Sequence, residues 1–478
     1  MILFPAFAGH RFRTRPAYRW FALALPMSLA LAGCDIGQDY IRPDTPTPPA
    51  WLGPPEPAAW PSADWWHGFR SARLDAYIAQ AQAANFDIAA AIAQVREADA
   101  QAEVAGAPLL PAISGSASAT RERASSGGVG AKTFTEYAPG LTASYEIDFW
   151  GKNHAALAAA EATAAANRFN QATVELTIMS DVATSYFQAL ELREEVAVAL
   201  DNVKSAREIL NALQHQETAG IATALDVAQQ ETTVATLEAA VPPLLQQLRQ
   251  TQDALAILLG QPPEAVEITD GALTDLALPA VAPGLPSELL ARRPDVAQAE
   301  ANLKSANANI TVARAAFFPS IQLTGSAGFA STQLGSAFNP ANGLFSLAAA
   351  LTQPIFEGGA LEGQLEFTKA RYDELVADYR KTVITAFSNA EDALVGVQQT
   401  TELLARQQAA TDAARRAYQI ALSQLRAGTI NILTVLNTET ALFTAETALV
   451  QARFLRLQAL VALFNALGGG WQEEAKSP

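Results

Sequence analysis

The stretch Ile113-Ser114-Gly115-Ser116-Ala117-Ser118-Ala119-Thr120 alternates small or apolar residues with hydroxyl side chains. Successive side chains of a β-strand point to opposite faces, so a strand here has one apolar and one polar face. Residues 137–149 continue the alternation, with Glu146 and Asp148 at even positions and mostly apolar residues at odd positions. Two-faced segments of about ten residues are typical of transmembrane β-barrel strands. A half-solvated hairpin of a soluble domain has the same pattern, so this segment alone does not distinguish the two.

A second copy of the hairpin begins 208 residues later, and the sequence around it repeats as well. The matching pairs include Pro111 and Pro319, Ile113 and Ile321, Gly151 and Gly359, Gly220 and Gly428, Leu225 and Leu433, and Gly260 and Gly468. All pairs keep the same offset, across predicted strands, helices and turns alike. Such internal self-similarity indicates a duplicated structural unit. The sequence therefore predicts two tandem units, each with a helix, a hairpin and two further helices joined by a turn.

Residues 153–219 form the longest periodic segment, with apolar residues at three- and four-residue spacing and no proline. As one helix, its 67 residues would extend roughly 100 Å at 1.5 Å per residue. A helix that long cannot bury itself in a compact domain, so we expect a coiled coil or a helical tube. Ala219-Gly220 marks a reversal into a second helix at 223–260. Pro242-Pro243 should break or kink that helix.

Proline-rich connectors divide the rest of the chain. The predicted segments are a leader at 1–33, a Pro-rich tether at 34–71, a helix at 72–111 with a break at Asn85-Phe86-Asp87, the first hairpin at 112–150, a long helical hairpin at 151–260, a linker at 261–288, a helix at 289–319, the second hairpin at 320–357, a second long helical hairpin at 358–467 and a C-terminal tail at 468–478. Trp60, Trp65, Trp66 and Phe69 lie within ten residues. Aromatic side chains bury large areas, so we expect this cluster to anchor the tether by packing rather than to bind sugars.

The N-terminus has the features of an export signal. Arg11, Arg13, Arg15 and Arg19 precede an apolar run at 20–32 that is too short for a permanent membrane helix. The run ends in Leu31-Ala32-Gly33-Cys34, which resembles a bacterial lipoprotein cleavage box, and Cys34 is the only cysteine of the chain. We expect cleavage before Cys34 and attachment of acyl chains such as palmitate to that residue.

Composition and motifs argue against an enzyme. The formal net charge is −16 and no basic patch or tail is present, so nucleic acid is not an expected partner. The four histidines, His10, His67, His154 and His215, are far apart and lack metal-ligand spacing. The sequence has no phosphate-binding glycine loop and no nucleophile motif. We therefore expect no cofactor, no metal and no catalytic residues.

The paired hairpins require partners if they lie in a membrane. Unpaired strand edges in lipid cost several kcal/mol per orphan polar group, so only a closed barrel is allowed. One protomer supplies four strands, whereas even small barrels need about eight. Three protomers would supply about twelve strands, and two would supply about eight with little lumen. The sequence thus predicts an α+β membrane protein, a trimeric 12-stranded barrel continued by a long α-helical barrel. On this parity Glu146 and Asp148 face the barrel lumen.

Seven short stretches, spread over the chain from residue 34 to residue 471, carry a resemblance to a known family. They are Cys34-Asp35-Ile36-Gly37-Gln38-Asp39-Tyr40, Trp65-Trp66, Tyr145-Glu146-Ile147-Asp148-Phe149-Trp150-Gly151-Lys152, Arg292-Arg293-Pro294-Asp295-Val296, Ala313-Arg314-Ala315-Ala316-Phe317-Phe318-Pro319, Gln353-Pro354-Ile355-Phe356-Glu357-Gly358-Gly359 and Leu467-Gly468-Gly469-Gly470-Trp471. Together they resemble the outer-membrane efflux proteins (TolC-like outer membrane factors), in the lipoprotein branch that serves resistance–nodulation–division pumps. The resemblance implies a homotrimer with an outer-membrane β-barrel, a periplasmic helical tunnel and an equatorial girdle. It also implies partners, namely a periplasmic membrane-fusion adaptor, an inner-membrane pump and outer-membrane lipid.

The resemblance further places the periplasmic mouth at the two helical reversals. In the family, glycine-bearing turns meet the adaptor, which here points to Ala219 with Gly220 and to Ala427 with Gly428. Acidic residues just beyond the turns constrict the family's pore, and Asp226 matches such a position. Thr434 and Asn437 stand where relatives often have Asp, so the second turn departs from the pattern and any acidic ring would be weaker. Asp226 is equally well explained as a first-turn carboxylate favoured by the helix dipole, and both interpretations stay open.

The expected function is a passive exit duct of a tripartite efflux system for small molecules such as drugs or other toxic compounds. The expected location is the outer membrane, with a lipid anchor at Cys34 and an extension into the periplasm. One alternative is a secreted or surface coiled-coil scaffold or adhesin. Another is the outer-membrane duct of a type I protein secretion system.

Overall fold

The structure is a computed structural model that describes residues 36–52, 60–126, 129–281 and 283–472, apart from the side chains at 124–126, 129–130 and 132. The leader, the expected lipidation site Cys34, Gly127 and Gly128 of the first hairpin and the end of the C-terminal tail lie outside the described residues. The helices are α1 Ala72–Ala84, α2 Phe86–Gly106, α3 Lys152–Thr218, α4 Ala224–Leu258, α5 Pro286–Leu289, α6 Pro294–Ala315, α7 Ala360–Arg426 and α8 Ile432–Ala466. The strands are β1 Ala112–Ser126, β2 Val129–Ile147, β3 Ser320–Phe329 and β4 Gly343–Thr352.

The chain divides into two compact units. The described part of the first comprises residues 36–40, 101–126, 129–160 and 305–372 and contains the four strands. The described part of the second comprises residues 41–52, 60–100, 161–281, 283–304 and 373–472 and contains most of each long helix.

The strands of the first unit form one antiparallel sheet in the order β1-β2-β3-β4. The register pairs residues of equal parity, as in the row Gly115↔Leu141, Leu141↔Ala327 and Ala327↔Phe345. The odd-numbered residues therefore share one face of the sheet, on β1 between Ala112 and Ala124 and on the three other strands. A slip of the register by one residue would move every side chain of a strand to the other face. The predicted apolar and polar faces are confirmed. β1 and β4 are the outer strands, and each has one edge without a strand partner within the described chain.

The sheet ends earlier than the sequence suggested. β2 stops at Ile147, so Asp148 lies beyond the strand and the expectation that it continues the alternation is wrong. The carboxylate of Asp148 instead accepts hydrogen bonds from the backbone N–H groups of Asn153 (3.0 Å) and His154 (2.8 Å) at the start of α3. These first-turn N–H groups have no partner inside the helix. Because Asp148 caps them, it is not part of the paired strand β2.

Two predicted helix features differ in the structure. The segment 72–111 is two helices that meet at Asn85, where the side-chain oxygen accepts from the N–H groups of Asp87 (2.8 Å) and Ile88 (3.0 Å). The prediction of a break at this point is confirmed, and the second helix ends at Gly106 rather than 111. The helix predicted at 289–319 is shorter, because α6 begins with Pro294 in its first turn and ends at Ala315.

Pro242 and Pro243 do not break α4, which continues from Ala224 to Leu258. The sequence predicted a break or a kink, and the expectation of a break is wrong because the carbonyl groups left without a donor are solvated. Each proline removes one bond to a carbonyl four residues earlier, here at Glu238 and Ala239. Both of those residues are exposed, so water can satisfy their carbonyl groups.

Aromatic residues form the centre of the second unit. Trp65 and Phe69 are buried; Trp65 stacks on Phe464 at 5.0 Å between ring centroids, and Phe69 packs against Phe187 at 5.0 Å. The expectation that this cluster packs is confirmed for Trp65, Trp66 and Phe69 by their burial, whereas Trp60 lies outside this core with the Arg292 guanidinium over its ring. α8 is the one described helix long and apolar enough to cross a membrane, but half of its most apolar window is buried in this core, as in a core helix.

Candidate functional site

The first helical reversal depends on a glycine with a left-handed backbone. α3 ends at Thr218, and Gly220 has φ +74°. The Gly220 N–H donates to Glu217 O and the Ile221 N–H to Gln216 O, both at 2.8 Å. Nothing lies within 4 Å of a Cβ built at Gly220, so its side-chain space is open. The requirement for glycine here comes from the backbone angle alone.

Asp226 caps the helix that follows this turn. Thr223 is the N-cap of α4, and its hydroxyl oxygen accepts from the Asp226 N–H at 3.2 Å. In return the Asp226 carboxylate accepts from the Thr223 N–H at 2.9 Å and from the Thr223 hydroxyl at 2.7 Å. These bonds from the Thr223 backbone and side chain lower the pKa of Asp226 below its ordinary value. The carboxylate therefore has a complete local role as half of a capping box.

The second reversal has the same backbone and different capping chemistry. Gly428 has φ +71°, and its N–H donates to Leu425 O at 2.9 Å. The N-cap of α8 is Asn431, whose side-chain oxygen accepts from the Thr434 N–H (3.2 Å) and the Thr434 hydroxyl (3.0 Å). The charged Asp226, which accepts from the hydroxyl of its N-cap, is thus replaced by Thr434, whose hydroxyl donates to its N-cap. Asn437 is exposed on the first turns of α8, as are Ala427 and Thr434 at this reversal.

An apolar cluster brings the two reversals together at one end of the second unit. Its buried members are Leu213, Val227, Ala421, Ile432, Val435 and Leu436, which come from α3, α4, α7 and α8. Four helices and two turns therefore meet here. The predicted residues Ala219, Gly220 and Asp226 lie beside the predicted residues of the second reversal. Both turns are exposed at Gly220 and Gly428, so they are accessible to a partner.

One residue of this end was not predicted. Glu439 on α8 is 0% exposed, and neither carboxylate oxygen has a hydrogen-bond partner. Burial raises the pKa of Glu439 to about 7. The pKa of Tyr418 is raised to about 12, first by its burial and then by the charge of Glu439. A sequence signal existed, because Glu439 follows Val435 and Leu436 by four and three residues on the apolar stripe of its helix.

The predicted lumen residues lie in the first unit. Glu146 is a β2 residue opposite Gln322, and its carboxylate accepts from Lys152 Nζ at 3.2 Å. Asp148 is nearly buried at the start of α3, where His154 Nδ1 lies 2.6 Å from its carboxylate. Whether either residue faces a lumen stays a prediction. Within the described ranges, no group of three or more His, Cys, Asp or Glu side chains could hold a metal ion.

The family model described as outer membrane efflux protein matches this chain twice, at residues 77–261 and 285–469. Both the starts and the ends of the two matches differ by 208 residues (285 − 77 and 469 − 261), which confirms the duplication predicted from the sequence.

Relatives are similar over nearly the whole chain. The pyoverdine export outer membrane protein OpmQ of Pseudomonas aeruginosa is 40% identical over 418 residues, 86% of this chain and 88% of the relative. The toluene efflux pump outer membrane protein TtgF of Pseudomonas putida is 32% identical over 474 residues, 95% of this chain and 98% of the relative. Among solved structures, the open state of the MtrE outer membrane channel of Neisseria gonorrhoeae superposes with a TM-score of 0.84 at 28% identity, covering 92% of this chain and 99% of that one.

Proposed function

Because the chain belongs to the outer membrane efflux protein family, we propose that it is the outer-membrane exit duct of a tripartite efflux system. The observation that carries the proposal is the four-stranded sheet, which is apolar on one face and open at both edges. A sheet with an apolar face suits a bilayer, but its open edges do not. Closing the edges with identical sheets satisfies both conditions.

The barrel in this proposal is built by three protomers. β4 of one protomer pairs with β1 of the next, which gives about twelve strands and a lumen wide enough for solutes. The even-numbered face, with Thr142, Ser144 and Glu146 on β2, then lines the lumen, and the odd-numbered face contacts lipid. The long helices α3, α4, α7 and α8 continue the duct into the periplasm.

The two glycine reversals are the proposed docking surface for a periplasmic membrane-fusion adaptor, which links the duct to an inner-membrane resistance–nodulation–division pump. They are exposed, adjacent and supported by the same apolar cluster. Cys34 is the proposed attachment point for a lipid anchor in the outer membrane, although it lies outside the described residues. The mature chain would thus be fixed to the membrane by barrel and lipid together.

Transport through the duct is passive, and the chain is not an enzyme. Two relatives support this proposal, since one is named for pyoverdine export and the other for toluene efflux, two cargoes with little chemistry in common. A dedicated binding site would discriminate between them strongly. We therefore assign substrate choice to the pump, and place drugs and other toxic compounds within the range of this duct.

Disulfide cross-linking tests the pooled barrel. Introducing Ser116→Cys on β1 together with Ala348→Cys on β4 should yield covalent dimers and trimers on denaturing gels of oxidised outer membranes. Ser346→Cys and Ala350→Cys should be tested with Ser116→Cys in the same way, because they cover the neighbouring registers of the β4–β1 pair between protomers. The matched control is Thr142→Cys with Ser326→Cys, which are opposite each other within one protomer and should cross-link only intramolecularly. Cross-linking in the control pair alone, or a monomer found in the periplasm, would contradict the proposal.

A complementation assay tests the function itself. A strain that lacks the gene should become sensitive to the substrates of its cognate pump and regain resistance with the wild-type chain. Equal sensitivity with and without the chain, while pump and adaptor are expressed, would show that it is not their exit duct.

A further inference from the structure

A groove crosses the odd-numbered face of the sheet near the end where β3 and β4 are connected. The register places small residues side by side there, because Ala117 is opposite Pro139 in the row next to Gly115 and Leu141. The cavity at this position has a volume of about 840 Å³. Its floor and walls include Gly115, Ala117, Pro139, Phe329, Phe338 and Phe345. We call this depression the Phe338 groove.

The walls of the Phe338 groove are aromatic and exposed. Phe345 is 80% exposed and Phe338 is 71% exposed. Phe338 leaves the loop between β3 and β4 to pack edge-to-face on Phe329, with 5.7 Å between ring centroids. Exposed apolar surface of this kind is a binding surface rather than a solvated one. Its shape, a small-residue floor between aromatic walls, suits flexible hydrocarbon chains.

A cationic rim lies beyond the groove on the same face. Arg121 and Arg123 have the parity of Ala117, and the β1–β2 register is continuous from Ala112 to Ala124. Arg121 is four residues further along β1 than Ala117, which is roughly 13 Å on a strand. Glu122 and Glu136 have the opposite parity, so the acidic groups of this segment lie on the other face. The described charges are thus separated, with cations above the groove and carboxylates behind it.

We propose that the Phe338 groove and its two arginines bind the lipid A portion of lipopolysaccharide, a phosphorylated and multiply acylated lipid of the outer leaflet. The assignment rests on the proposed function, which turns the odd-numbered face toward lipid and this end of the sheet toward the cell exterior. Guanidinium groups pair with phosphate through two parallel hydrogen bonds, and two such groups on one face suit a headgroup with more than one phosphate. The acyl chains occupy the groove below.

Titration of purified lipid A into the wild-type trimer in mild detergent, followed by native mass spectrometry, measures the affinity. The double variant Arg121→Gln with Arg123→Gln should bind about thirtyfold more weakly, since each basic residue near an anionic surface contributes about a factor of five. The matched control is Glu122→Gln with Glu136→Gln, which changes two charges on the opposite face of the same hairpin and should leave lipid A binding unchanged. Equal affinity of the arginine variant and the wild type would overturn the proposal.

Ala117→Trp tests the groove separately from the rim, because a large aromatic side chain is compatible with a strand but fills the floor. It should weaken lipid A binding while both arginines remain. Should any variant fail to form a trimer, lipid A with one phosphate removed tests the wild-type protein directly and should bind more weakly than the intact lipid. Equal binding of phosphatidylglycerol and lipid A would overturn the assignment. Trimer migration and drug resistance are measured separately from lipid A binding. A wild-type chain that forms no trimer and confers no resistance would refute the proposed duct function. A wild-type chain that does both but shows no preference for lipid A would refute only the lipid A site.

Discussion

Glu439→Gln is the substitution that tests the packing of the helical end most directly. Glu439 is fully buried and its carboxylate oxygens have no hydrogen-bond partner, so ionisation is opposed by lost hydration alone. Its pKa is raised from 4.5 to about 7. Glutamine has nearly the same shape and cannot ionise. The variant therefore removes the titration while keeping the volume of the side chain.

The sign and size of the effect follow from linkage. Below pH 4.5 the carboxyl group is protonated in both folded and unfolded chains, and ionisation costs nothing. Between pH 4.5 and about 7 the unfolded chain releases the proton that the folded chain retains, so the free energy of unfolding falls as pH rises. Above pH 7 the loss is complete, at about 3 kcal/mol for each protomer. Glu439→Gln should thus equal the wild type near pH 4.5 and exceed it by up to that amount at pH 8.

The assay is thermal unfolding of the purified trimer at a fixed scan rate, across pH 4.5 to 8, because membrane assemblies unfold irreversibly. The difference in apparent Tm between variant and wild type should grow over this range. Glu231→Gln is the matched control, since Glu231 is the counterpart of Glu439 in the first repeat and is exposed. Its difference from the wild type should stay flat. A flat difference for Glu439→Gln as well, or a variant that is less stable at pH 8, would refute a buried carboxyl group that ionises at a cost.

Substitutions at four further positions test the turns and the core. Gly220→Pro or Gly428→Pro should abolish complementation of drug resistance at normal protein levels. Proline cannot adopt φ near +70° and removes an N–H that donates in the turn. Alanine at either position should have a milder effect, and full resistance with proline would contradict the turn geometry. Asp226→Ala should lower helix stability by about 1 kcal/mol through loss of the cap, whereas Asp226→Asn should retain most of it, as measured by urea unfolding followed by circular dichroism. Trp65→Ala should destabilise the second unit by about 3 to 5 kcal/mol, and a change below about 1 kcal/mol would show that the aromatic cluster is not its core.

Local alternation and the repeat offset predicted most of the fold. The equal parity of the strand pairs was implicit in the alternation, because only registers of equal parity put Ile113, Leu141 and Phe345 on a common face. The alternation failed to predict the position of residues that bind groups outside the strand. Asp148 has the parity of a strand residue, but two N–H groups five and six residues later bind it outside the strand.

Side-chain environments were less predictable than elements. A glutamate in an Ala- and Thr-rich helix is most often solvated. The position of Glu439 on the apolar stripe of its helix is a local signal, but its complete burial depends on tertiary packing. The continuity of α4 at Pro242 likewise depends on exposure of the preceding turn, a tertiary property. The Phe338 groove requires four strands in register and an aromatic residue from the loop between β3 and β4, so no single segment of the sequence predicts it.

The two turns also bear on the role of Asp226. Both have a glycine with φ near +70°, and in both the side-chain oxygen of the N-cap, Thr223 or Asn431, accepts from the first turn of the next helix. They differ in the first-turn residue that binds this cap, which is the charged Asp226 in the first turn and the neutral Thr434 in the second. The shared requirement is therefore a capped, left-handed turn, and the second turn meets it without a carboxylate. If capping is its whole role, Asp226→Asn should leave the cation-to-anion permeability ratio of the reconstituted channel unchanged. A clear fall in cation preference would instead establish Asp226 as a charge at the pore mouth.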